Sequence, residues 1–138
     1  METAVRQLTA VWGALLASII LYVFIGERIT HTAPRMGALF FQVIAAVALL
    51  TVAMIFVLRR VMIAKAVEIL AAQPNEAHAV GRWRGGYMAT FALCEAIALY
   101  GFLLRVQGFT LKEVFPFYLA GGILLLFFAP RRPRTASA

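Results

Sequence analysis

The chain has 138 residues, of which 63% are hydrophobic and only 14% charged, and its formal net charge is +7. A typical soluble domain carries about 25% charged residues, so a water-soluble domain of ordinary composition is excluded. The basic residues flank long apolar blocks, which assigns them to a membrane surface rather than to nucleic acid.

The first block, Leu8–Ile25, runs 18 residues without a charge. It is longer than the apolar core of a signal peptide, about 7–15 residues, and no small-x-small cleavage site follows it. A retained first helix is expected. The second block, Met36–Leu58, runs 23 residues without a charge. Arg59–Ala72 follows it, rich in alanine and free of glycine and proline, so helix should continue about three turns past the membrane surface. Gln73-Pro74-Asn75 breaks that helix, which is expected to resume near Gly81–Gly85. Trp83, between Arg82 and Arg84, fits an anchor at the membrane interface.

The third block, Gly85–Leu104, is 20 residues with Glu95 as its only charge. Thr110-Leu-Lys-Glu113 matches a capping box and opens a fourth helix, with Pro116 in its second turn. Pro130 and the basic tail end it. Gly101, Gly121 and Gly122 are expected to be packing glycines that allow close helix contact. A spanning helix needs about 20 residues. The expected fold is therefore all-α: a polytopic membrane protein, one domain over 1–138. Its four transmembrane helices lie at about 8–25, 36–58 (continuing to about 72), 85–104 and 111–129. The second and third form a long central hairpin.

Four spans place nine Lys and Arg on one side and four on the other. The positive-inside rule puts both termini and the second loop in the cytoplasm. A bacterial inner (plasma) membrane is the expected location.

Glu95 lies near mid-depth of its span. A charge there costs roughly 2.5–3.5 kcal/mol on insertion scales, which makes an intramembrane carboxyl a candidate functional residue by default. Apolar surroundings disfavour the charged form of a carboxyl, and the neutral acid can donate one hydrogen bond. Folding the hairpin about Gln73 places Thr51 at the depth of Glu95, since each lies 22 residues from the bend. Thr51 is the first expected partner and Gln42, nearer the outer surface, the second. Glu95, Thr51 and Gln42 form the candidate ion-binding set. Three readings stay open: binding of a proton or cation, a structural hydrogen bond between helices in an accessory subunit of a larger complex, and binding of a lipid, quinone or other membrane ligand.

At the hairpin, residues from about 60 to 104, the chain resembles the c subunit (proteolipid) of F-type ATP synthases. The resemblance rests on Ala66-Val-Glu-Ile-Leu-Ala-Ala-Gln-Pro-Asn-Glu-Ala77, on Arg84-Gly-Gly, and on Phe91-Ala-Leu-Cys-Glu-Ala-Ile-Ala-Leu-Tyr-Gly101. Arg84 precedes Glu95 by 11 residues, as the family's arginine precedes its carboxylate. The resemblance implies that Glu95 takes up and releases a proton, or a sodium ion. Relative to that family the chain adds one helix before the hairpin and one after it.

No phosphate loop, haem attachment motif, dinucleotide fingerprint or nucleophile beside a base is present, so no enzyme is expected. His31 and His78 fall on opposite sides of the expected membrane, and Cys94 is the only cysteine. Neither a metal site nor a cofactor is expected. The expected partners are membrane lipids, with a homo-oligomer or a larger membrane complex as further possibilities and no nucleic acid.

Overall fold

A computed structural model describes residues 2–29, 35–73 and 76–131. His31, the Pro74-Asn75 pair of the expected helix break, and the last residues of the basic tail lie outside them. Among the described residues every regular element is helical. Helix α1 spans Glu2–Arg28, α2 Ala38–Ala72, α3 Ala77–Val106 and α4 Leu111–Phe127. The first three are long and apolar enough to cross a membrane. Helix α4 has 17 residues, about 26 Å at 1.5 Å per residue.

Successive helices are antiparallel, so α1 and α3 run parallel. Helix α3 is the hub and packs against each of the others, most closely against α4. Glycines set that approach. A Cβ on Gly121 would lie 2.8 Å from the carbonyl oxygen of Cys94, and one on Gly101 would lie 2.9 Å from Phe117 Cβ. Gly122 faces open space instead. A third close approach joins α3 to α2, where a Cβ on Gly86 would meet Ile63 at 2.7 Å. Between α2 and α4 lies an apolar groove of about 260 Å³, floored by Ile97 of α3.

The caps follow from local chemistry. Thr110 and Glu113 form the expected capping box, closing the exposed donors at the start of α4. Gly108, with φ of 90°, ends α3 in the left-handed conformation, and the Phe109 amide donates back to the Leu104 carbonyl at 3.2 Å. The indole of Trp12 donates to the Leu125 carbonyl at 2.8 Å, satisfying one acceptor of α4's last turn and tying α1 to it.

Three sequence expectations change. Helix α3 resumes at Ala77, well before Gly81–Gly85, because the Glu76 side chain accepts from the His78 amide at 3.1 Å and from the Ala79 amide, capping the helix at once. Trp83 is not an interfacial anchor. It is fully buried and packs on Tyr87 with ring centroids 5.0 Å apart, in a dry contact zone that also buries Ala66, Leu70 and Ala79. Helix α2 does continue to Ala72, but Arg59–Ala64 forms a π-helical turn within it.

The outward faces are strongly apolar. Leu39 is 73% and Leu49 72% exposed, and Phe24, Leu50 and Phe127 are also exposed. Soluble monomers rarely expose this many large apolar side chains together.

Candidate functional site

Glu95 is partly exposed, on α3 between the exposed Ala92 and Leu99 and the buried Phe91 and Ala98. It therefore stands at the edge of the α1–α3 seam, where the protein surface turns towards the expected lipid. One oxygen, Oε1, accepts hydrogen bonds from Ser18 Oγ and Tyr22 Oη of α1, each at 2.7 Å. Ser18 and Tyr22 are four residues apart, hence on one face of α1, one turn above the other. The Tyr22 ring packs on Phe102, centroids 5.7 Å apart, which fixes its approach to Glu95. Among the described residues Oε2 takes no hydrogen bond.

The hydroxyl geometry allows both states of the acid. Ser18 Oγ lies 2.9 Å from the Leu15 carbonyl as well as 2.7 Å from Glu95 Oε1, and a hydroxyl has a single hydrogen and two acceptor positions. With Glu95 ionised, Ser18 and Tyr22 both donate to the carboxylate. With Glu95 protonated on Oε1, the acid donates to Ser18, which turns its hydrogen to Leu15, while Tyr22 still donates to Oε1. The same heavy-atom positions satisfy both arrangements, and only one hydroxyl rotates.

The expected partner set is rearranged. Thr51 is buried on α2 and donates to the Val47 carbonyl at 2.8 Å. Its other neighbour is Tyr100 Oη at 3.5 Å, on a different face of α3 from Glu95. Gln42 is exposed and borders a recess with Arg35 and Glu113 near the start of α2. Neither residue bonds Glu95. Ser18 and Tyr22 were missed because the reading folded α3 onto α2 alone. The signal was available in the parallel alignment of α1 with α3. Arg28 and Arg105 mark the C-terminal ends of these helices, and Ser18 and Glu95 each lie 10 residues before them.

Ion pairs lie at the end of the bundle where α1 and α3 terminate. Arg105 Nε lies 3.0 Å from Glu27 Oε1, and Arg35 Nη2 lies 2.6 Å from Glu113 Oε1. Arg105 also donates to the Phe109 carbonyl at 2.9 Å. Tyr118 Oη is buried near Gly26 and has no hydrogen-bond partner among the described residues. Among those residues, no three His, Cys, Asp or Glu side chains gather as a metal centre would require.

No family model, curated protein or solved structure matches this chain. The proteolipid resemblance of the hairpin thus rests on the residues quoted for it.

Proposed function

We propose that the chain is an integral membrane protein with four crossing helices, both termini and the α2–α3 bend cytoplasmic, in which Glu95 takes up and releases a proton. The observation that carries this reading is the divided carboxyl: Oε1 is held by two hydroxyls at 2.7 Å, while Oε2 is unbonded at the lipid-facing edge of the seam. A carboxyl held in this way can exchange a proton without repacking the bundle. The hairpin's resemblance to the proteolipid c subunit points the same way, although the hydroxyls come from α1, which lies outside that resemblance.

The test is labelling of Glu95 by a hydrophobic carbodiimide in native membranes, across pH and with added sodium. Such reagents react with protonated carboxyls in apolar surroundings. Labelling that declines as pH rises, is indifferent to sodium and is absent from Glu95→Gln is expected. Protection by sodium would replace the proton with a cation as the bound species. No labelling at any pH would overturn exchange altogether.

A second reading, that the protein is an accessory subunit and Glu95 fastens α1 to α3, is favoured by the same two short bonds. It predicts an unreactive carboxyl, so the labelling experiment also separates the two.

A further inference from the structure

At the opposite end of the bundle from its ion pairs, the molecule holds an arginine with no acid. The Arg59 guanidinium lies over two rings, its Cζ 4.1 Å from the Phe128 centroid and 5.2 Å from that of Tyr87. Its Nη1 is sealed from solvent and has no hydrogen-bond partner. The side chain makes no ion pair among the described residues, and the Arg105–Glu27 and Arg35–Glu113 pairs lie at the opposite end of the bundle. Arg59 also opens the π-helical turn of α2, a local widening frequent at functional sites.

These features define half of a binding site. Tyr87 of α3 and Phe128, just past the end of α4, hold the guanidinium in cation–π contact. Nε and Nη2 take no protein partner, and neither is sealed as Nη1 is. A guanidinium edge with two parallel donors matches a phosphate bidentately. The surroundings favour an anion: this end of the bundle also carries Arg6, Arg60, Lys65, Arg82, Arg84 and Arg131, against Glu2, Glu68 and Glu76. That end is the cytoplasmic one under the proposed topology, where apolar Phe56 and Phe127 stand exposed beside the site. A ligand here meets a cation at the membrane surface and apolar side chains just below it, which is the chemistry of a phospholipid.

We infer that Arg59, held against Tyr87 and Phe128, binds the phosphate of an anionic phospholipid from the cytoplasmic leaflet. The site is separate from Glu95 and stands whether or not Glu95 exchanges protons.

The test is native mass spectrometry of the purified full chain, titrated with phosphatidylglycerol or phosphatidylcholine, with inorganic phosphate as a third arm. The wild type is expected to retain phosphatidylglycerol preferentially and to ignore free phosphate. Arg59→Gln should bind it about fivefold more weakly, the contribution typical of one basic side chain at an anionic leaflet. Arg59→Lys should weaken it as well, since a lysine keeps the charge but not the planar fork. Arg60→Gln should weaken binding less than Arg59→Gln does, since it removes nearby charge but no direct phosphate contact. Equal weakening by Arg60→Gln, or full retention by Arg59→Lys, would overturn the site in favour of a diffuse basic surface. Equal retention of phosphatidylcholine would overturn it too, as would free phosphate competing the lipid away. If Arg59→Gln does not fold, the Arg59→Lys and Arg60→Gln pair decides alone.

Discussion

Two tyrosine hydroxyls near α1 make opposite predictions. Tyr22 donates to Glu95 at 2.7 Å, whereas Tyr118 Oη is buried without a partner. Interhelical hydrogen bonds within membranes contribute about 0.6 kcal/mol on average, up to roughly 1.7. Tyr22→Phe should cost an amount in that range. Tyr118→Phe should be neutral or stabilising, because it removes a desolvated group that gains nothing. Equilibrium unfolding in mixed micelles measures both, and a larger loss from Tyr118→Phe than from Tyr22→Phe would contradict the assignment. Glu95 itself was legible in the sequence because a lone charge in 20 apolar residues has a known cost. Its partners were not, because hydroxyls carry no such cost and leave no compositional mark. Helical depth alone placed Thr51 beside Glu95, but depth says nothing about which neighbour a helix face meets. Thr51 turned its hydrogen to its own backbone instead.

At the scale of the element, sequence and structure agree where side chains do the work locally. The capping box at Thr110 and Glu113 and the continuation of α2 to Ala72 were both readable. The cap at Glu76 was less so, since glutamate is not a favoured capping residue. The π-helical turn Arg59–Ala64 was invisible, because a shift in backbone hydrogen-bond register needs no special residue type. The adjacent glycines of α4 give the sharpest test of helix packing. Gly121 meets the Cys94 carbonyl and Ala98, while Gly122 meets nothing within 4 Å. Gly121→Ala should destabilise the bundle by about 1–3 kcal/mol, the usual penalty for overpacking. Gly122→Ala should be neutral or gain up to about 1 kcal/mol from helix propensity. Unfolding of the two variants side by side would show the contrast, and equal effects would refute the tight α3–α4 seam.

For the whole molecule, composition foretold the class of surface but not the arrangement. The long apolar blocks implied helices clothed in exposed side chains, and Leu39 and Leu49 are such residues. Which helix sits in the centre depends on small residues such as Gly101 and Gly121, which were expected as packing glycines but whose partners across α3 and α4 appear only in three dimensions. The orientation can be tested with single cysteines placed in a Cys94→Ala background. A cysteine at Gln107 should react with an impermeant thiol reagent added outside intact cells, and one at Gln73 only after the membrane is opened. The reverse pattern would invert the topology. Native Cys94 is buried and should stay silent in both conditions.

The central place of α3 bears on how the protein is made. Helices α1 and α2 leave the ribosome before α3, yet they share no extensive contact with each other among the described residues, and both rest on α3. A nascent chain that has inserted only these two has no hairpin to close. Ser18 and Tyr22 are then still waiting for Glu95, and Ile63 for Gly86. Assembly is therefore deferred until the third helix enters the bilayer, and the final helix locks against it at Gly101 and Gly121. Chains halted before Ala77 should be held by the insertion machinery or degraded, and those released just after Val106 should be the shortest to bring α1 and α2 together.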